Sequence, residues 1–307
     1  MNAQSVPPKL HPDAPLTAAR VWWHASRPAT LAASVSPVVV GIAVAAHLGQ
    51  VSWARSLGAL VVAVALQFGV NYANDYSDFR RGADSADRVG PPRAAASGVV
   101  SPRLVLWAAW LSFAVAAAVG IWLCAVSSWW LLAVGAACIA AAWFYTGGPF
   151  PYGYRGFGEL AVFIFFGEVA TCGTVFVETG RIGVLAPLAA ILPGALAAAL
   201  LLVNNLRDVD QDRRAGKLTL AVRLGPRRAY RAFLGLLALA LVVPLLIAIP
   251  GIEHFTVFLP WILVPAMEAP VRNANSDDPA VQIRALKQMG ALLAGSSILL
   301  AAGIWAG

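Results

Sequence analysis

Charge is what this 307-residue sequence most lacks: Asp, Glu, Lys and Arg together supply 12% of it. A soluble domain usually devotes about a quarter of its residues to them. So low a share argues against a water-facing globular fold. Cysteine is scarce too. Cys124, Cys138 and Cys172 are scattered through apolar stretches with no CxxC pair and no neighbouring His, which argues against a disulfide framework, a zinc site or a cysteine nucleophile. His47 and His254 fall at the ends of apolar stretches, away from the acidic motifs described below. The first 26 residues contain Pro7, Pro8, Pro12 and Pro15 and lack the basic, apolar, small-residue order of a cleaved signal.

What the sequence does have is hydrophobic residues, 59% of the total. They fall in nine blocks, about 29–49, 55–73, 104–125, 127–145, 160–178, 183–203, 230–249, 252–267 and 288–306. Each approaches the roughly 20 residues a bilayer-crossing helix needs. The expectation is an all-α integral membrane protein: a polar arm over 1–28, then one nine-helix transmembrane domain over 29–307. Pro37 and Pro260 mark expected kinks.

The net charge of +7 could point to nucleic acid, but its distribution points to topology. With nine crossings, all of the 22 basic residues except Arg55 and Arg181 fall on one side. The positive-inside rule then puts the N-terminus and the long loops in the cytoplasm and the C-terminus outside. Nucleic-acid binding becomes unnecessary; the expected surroundings are a lipid bilayer.

Acidic residues are concentrated as well. Asp75, Asp78, Asp84, Asp87, Asp208, Asp210 and Asp212 lie in two segments, NYANDYSDFRRGAD from Asn71 and NNLRDVDQDRRAGK from Asn204, each at the basic end of a block. Asn71, Asn74, Asp75 and Asp78 stand at i, i+3, i+4 and i+7, so they share a helix face. Asn204, Asn205, Asp208 and Asp212 fall within roughly 100° of arc, and Asp210 points away. A shift of 134 residues (205 − 71) aligns Asn71 with Asn205, Asn74 with Asp208, Asp78 with Asp212, Arg80 with Arg214 and Gly82 with Gly216. An internal repeat relating about 55–100 to about 183–235 would place the motifs across from one another.

Like charges on one helix face repel, and near hydrocarbon their cost rises. A hard cation offsets both. The donors are Asp and Asn oxygens with no His or Cys among them, a set that suits Mg²⁺ completed by substrate phosphates. Arg80, Arg81, Arg88, Arg93, Arg207, Arg214 and Lys217 are placed to hold phosphate oxygens. Arg27, which opens the first block, could meet a substrate carboxylate or simply mark topology. A cation transporter is the rival of a different class. It would need mid-span carboxylates, and Glu168 is the only one.

The two motifs resemble those of the UbiA superfamily of membrane prenyltransferases. NDxxDxxxD is met by Asn74, Asp75 and Asp78, with Gly82 in the fourth position and Asp84 two residues on; DxxxDxxxG is met by Asp208, Asp212 and Gly216. The segments DRVGPPRAAASG (87–98), YTGGPFPYGYRGFGE (145–159) and DVDQDRRAGKLTLAVRLG (208–225) are most similar to the dihydroxynaphthoate polyprenyltransferase branch. The resemblance implies nine helices around a central cavity in the bacterial cytoplasmic (inner) membrane, with the site facing the cytoplasm. It implies joining a polyprenyl diphosphate to 1,4-dihydroxy-2-naphthoate with loss of CO₂ and diphosphate, a step of menaquinone biosynthesis. 4-Hydroxybenzoate and a haem ring stay open as acceptors.

On this reading Asp75, Asp78, Asp208 and Asp212 hold Mg²⁺, and Asn71, Asn74, Asn204 and Asn205 complete or orient that shell. The Gly- and Pro-rich loop 146–158 becomes a lid or acceptor wall, with Tyr145 and Glu159 at its ends as candidates to face the allylic cation or the acceptor. No residue stands out as a general base.

Overall fold

The structure is a computed structural model that describes residues 17–82, 93–249 and 255–307; among them, all regular structure is helical. A short helix α1 (Ala18–Ala25) precedes α2 (Pro28–His47), α3 (Trp53–Arg80), α4 (Pro102–Val126) and α5 (Leu131–Phe144). Next, α6 (Gly158–Phe163), a π-helical stretch (Ile164–Val169) and α7 (Ala170–Thr179) form one rod. Helix α8 (Leu185–Arg207) leads into α9 (Val209–Arg214), α10 (Leu220–Leu224) and α11 (Pro226–Ala248). Two 3₁₀ segments (Phe255–Leu263 and Pro265–Met267) then precede α12 (Glu268–Ala274) and α13 (Pro279–Ala306).

Local chemistry sets several boundaries. Ser101 caps α4 and Asp278 caps α13, each followed by proline at the first helical position, where no N–H is needed. Helix α2 continues through Pro37. The Pro260 segment is 3₁₀ instead; proline removes a helical donor, and the tighter helix is used in short pieces.

Among the described residues, seven stretches are long and apolar enough to cross a membrane: Thr30–His47, Trp53–Arg80, Pro102–Val126, Gly158–Thr179, Leu185–Arg207, Pro226–Ala248 and Pro279–Ala306. Two of the nine expected blocks differ. The fourth yields only the 14-residue α5, about 21 Å at the helical rise against roughly 30 Å of hydrocarbon. The eighth is the 3₁₀ stretch, and its first residues lie outside the described ones.

Helix α8 is the most enclosed, packing against α2, α6, α11 and α13. Its run Ala195–Ala199 is fully buried, because small side chains let four neighbours approach. The backbones come close at Gly194: a Cβ on Gly167 of the π-helical stretch would stand 2.7 Å from the Gly194 Cα. Helix α3 packs on α4, and α1 buries Val21 and Ala25 against Ala94, Ala95, Val100 and Val105.

This packing brings both motifs to one end of the bundle. The opposite end is tied by Arg55, which donates to the Val177 and Glu178 carbonyls (3.2 Å each) and to the Val126 carbonyl (2.9 Å). The buried Glu178 carboxylate accepts from the Ser52 amide and the Ser56 hydroxyl at 2.7 Å each. Arg55 and Glu178 thus join α3, α4 and α7, a role sequence reasoning did not assign to them.

Candidate active site

Asp75 and Asp78 ride on the last turns of α3 and are almost fully buried. Asp75 accepts from the backbone amides of Ala94 (2.9 Å) and Ala95 (3.3 Å). That docking brings Arg93 to Asp78 at 3.5 Å. Asp78 also takes the Lys217 ammonium at 2.9 Å and the Tyr154 hydroxyl at 2.6 Å. Lys217 lies 4.8 Å from the centroid of the Tyr154 ring, and the Leu218 amide donates to the Tyr154 carbonyl. Three chain segments therefore converge on one carboxylate.

The second motif is built differently. Helix α8 ends at Arg207, and Asp208 stands between α8 and α9. Arg207 forks onto both Asp208 oxygens (2.7 and 2.6 Å) and reaches Asn204 Oδ1 at 2.9 Å. Asp212 accepts from the Thr219 hydroxyl at 3.4 Å. Burial pushes its carboxyl up to about 7; the Lys217 charge opposes the shift, and Asp208 and Asp78 add to it. Those couplings place Asp78, Asp208 and Lys217 within electrostatic reach of Asp212.

Both motifs end on one turn. The Arg81 amide bonds Ser77 and the Gly82 amide bonds Phe79; 134 residues later (215 − 81) the Ala215 amide bonds Gln211 and the Gly216 amide bonds Arg213. Gly82 (φ +66°) and Gly216 (φ +72°) both adopt the left-handed conformation that closes a helix and favours glycine.

A cavity of about 1720 Å³ opens beside this layer. At the motif end Arg27, Asn71, Asn74, Asp75, Arg93, Tyr145, Asn204 and Arg207 all line it. From there it runs between α3, α4, α5 and α7 along mainly apolar walls. Arg27 is the only non-glycine with a left-handed backbone among the described residues (φ +50°), a strain of about 1–3 kcal/mol of the kind that clusters at functional sites.

Some candidates fall elsewhere. Asn205 donates to Glu159 at 2.8 Å, and neither lines the cavity; both sit in the packing between α6 and α8. Arg80 is exposed at the end of α3, Arg81 bonds the Gly148 carbonyl, and Arg214 bonds the Asp210 carbonyl. Asp210 is exposed and pairs with Arg213. Arg88, Asp84 and Asp87 lie outside the described residues.

Other residues went unnoticed in the sequence. Thr146 donates to Asn74 at 2.7 Å and Tyr154 to Asp78; both lie in loop 146–158, which composition marked without singling them out. Gln67 donates to Thr30 (3.1 Å) and Asn71 (3.2 Å), and Asn71 donates to the Ser26 carbonyl. Its position one turn before Asn71 on the motif face was the available signal.

The hard-oxygen donor set fits Mg²⁺. Among the described residues no three His, Cys, Asp or Glu side chains gather as a ready-made metal group. Each motif carboxylate instead holds a protein cation or a neutral donor.

Residues 34–303 match the UbiA prenyltransferase family. The chain is 49% identical over 252 residues to the 1,4-dihydroxy-2-naphthoate octaprenyltransferase of Mycobacterium tuberculosis, covering 81% of this chain and 82% of the relative. It is 32% identical over 269 residues to the Bacillus subtilis protein of that name, covering 87% and 86%. Among solved structures, a UbiA homolog from Archaeoglobus fulgidus bound to DMAPP and Mg²⁺ superposes with a TM-score of 0.63 at 15% identity, covering 91% of this chain and 99% of that one.

Proposed function

The chain belongs to the UbiA prenyltransferase family, and from that premise we propose that it transfers a polyprenyl group from its diphosphate to 1,4-dihydroxy-2-naphthoate. One observation carries the reading. Asp75, Arg93 and Arg207 line one end of a large, mainly apolar cavity, and Arg93 and Arg207 tie that end to Asp78 and Asp208, which do not line it; a polar end on an apolar chamber suits a substrate with a diphosphate head and a hydrocarbon tail. The similarity to dihydroxynaphthoate octaprenyltransferases supports the acceptor.

In the reaction the allylic C–O bond breaks and its electron pair leaves with diphosphate. The ring carbon bearing the carboxylate forms the new C–C bond, and the carboxylate departs as CO₂, giving demethylmenaquinol. Arg93, Arg207 and Lys217 hold the diphosphate and stabilise the charge growing on it. Asp75, Asp78, Asp208 and Asp212 are the residues that would hold Mg²⁺, which supplies further charge neutralisation when bound. Asn71, Asn74 and Asn204 orient the head group. Tyr145 faces the developing cation with its ring, and Arg27 meets the acceptor carboxylate. Water is kept out by loop 146–158, which Tyr154 fastens to Asp78.

The same reading takes α5 and the segment around Pro260 as two further crossings, making nine. It places the motif end in the cytoplasm, the C-terminus outside and residues 29–307 in one membrane domain of the bacterial cytoplasmic membrane. The matched helix-closing turns at Gly82 and Gly216 support an internal repeat.

The test is product formation by purified protein with farnesyl or longer diphosphate and each acceptor in turn: dihydroxynaphthoate, 4-hydroxybenzoate and haem. Prenylated naphthoate should form and should vanish on chelation of Mg²⁺. Product from hydroxybenzoate or haem alone overturns the acceptor assignment.

A further inference from the structure

The exposed face of α11 changes character along its length. It begins with Arg227, Arg228 and Arg231, all exposed. From the next turn it is apolar, and Leu234, Leu239, Val242 and Leu245 stand 36% to 47% exposed. Leu234 to Leu245 is 11 residues (245 − 234), about 16 Å at the helical rise. That is the depth of one leaflet, half of a roughly 30 Å hydrocarbon core. With this stretch in one leaflet, the arginines stand at the level of the lipid headgroups.

Membrane orientation asks only for basic residues on one side, not for this grouping. Two other exposed arginines sit beside acids, Arg213 with Asp210 at 3.3 Å and Arg272 with Glu268 at 4.0 Å. Among the described residues no acidic side chain pairs with Arg227, Arg228 or Arg231. Helix α11 has no acid in its first turn and no side chain capping it. Like charges therefore crowd the end where the helix dipole is already positive, a placement that disfavours cations. An anion removes both repulsions. The place also bears on the second motif: the segment before α10 carries Lys217 to Asp78 and Thr219 to Asp212, and α10 packs on both α8 and α11.

We propose that this face of α11 docks an anionic phospholipid. Arg227, Arg228 and Arg231 take its phosphate headgroup, and the apolar stretch from Leu234 to Leu245 carries its acyl chains. Charge and length together point to that occupant. Free phosphate would leave the apolar stretch unused. A second copy of this chain, related by an axis along the membrane normal, would bring the same arginines together. Through α10 the bound lipid steadies the segment that delivers Lys217 and Thr219, so anionic lipid raises turnover. The effect on turnover rests on the function proposed above; the lipid binding does not.

The test reconstitutes the full chain in vesicles of equal parts phosphatidylcholine and phosphatidylglycerol and counts, by native mass spectrometry, the lipids retained after transfer to detergent. The parent should retain phosphatidylglycerol in preference to phosphatidylcholine. Replacing all three arginines by glutamine (R227Q, R228Q and R231Q together) should cut that preference by more than about tenfold. Arg231→Gln alone should cut it by about fivefold, which keeps the test open if the triple variant folds poorly. Arg213→Gln with Arg272→Gln is the surface-charge control, and its preference should stay within about twofold of the parent. A parent without preference, unchanged retention in the α11 variants, or an equal loss in the control overturns the lipid site. Disulfide cross-linking of Arg228→Cys into a dimer in the same vesicles overturns it in favour of a second copy. Prenylation of dihydroxynaphthoate should rise severalfold when phosphatidylglycerol is added to phosphatidylcholine, for the parent and not for the triple variant. Equal rates in both lipids overturn the activating role. No product in either lipid, with the preference intact, overturns the functional reading and leaves the lipid site standing.

Discussion

The two carboxylate motifs close on the same turn but differ one turn earlier. In α3 the helix runs unbroken through Asn74, Asp75 and Asp78 to Arg80. In the second motif it breaks at Asp208, so Arg207 folds onto its own neighbour and Asp212 rides on a separate short helix. The first motif therefore receives partners from elsewhere in the chain: the Ala94 and Ala95 amides, Arg93, Tyr154 and Lys217. The second mostly satisfies itself, through Arg207 and Thr219. Sequence equivalence is thus not equivalence of surroundings. Asp78 is a junction of three segments, whereas its counterpart Asp212 has one weak neutral donor and a carboxyl pushed up to about 7.

The difference can be sharpened by substitution, beginning with the largest effect. Asp78→Ala removes the shared anchor of Lys217, Arg93 and Tyr154, so prenyl transfer at saturating substrate and Mg²⁺ should fall by on the order of 10³-fold. Asp212→Ala should cost on the order of 10²-fold, and the reverse ranking would break the comparison. The paired glycines come next. Gly82→Ala and Gly216→Ala each force a side chain into a left-handed turn, and each should lower stability by about 1 kcal/mol in denaturant or thermal unfolding. Only Gly216→Ala, which disturbs the approach of Lys217 to Asp78, should also lower turnover severalfold. The smallest effect belongs to Asp210→Ala. Its carboxylate is exposed and pairs with Arg213 at the surface, so turnover and melting temperature should match the parent within experimental error.

Helical spacing gave the first motif correctly because α3 does not break: four residues at i, i+3, i+4 and i+7 must share a face. The same reasoning grouped Asn205 with Asn204. Adjacent residues stand about 100° apart on a helix, and the neighbouring α6 takes one of the two: Asn205 turns to Glu159 while Asn204 faces the cavity. Tyr154, Thr146 and Lys217 could be sorted only once loops distant in sequence were brought together. Periodicity reports which side of a helix a residue occupies; it says nothing of which loop lies over that side.

The sequence by itself determined that the chain is a helical membrane protein, that its charge gathers at one end, and that its carboxylates suit a hard cation and phosphate. Those properties follow from composition and from the fixed geometry of a helix. Tertiary structure alone decided which cations meet which carboxylates and that α5 is too short to span hydrocarbon unaided. Those properties depend on contacts between segments far apart in the chain, and no local spacing encodes them.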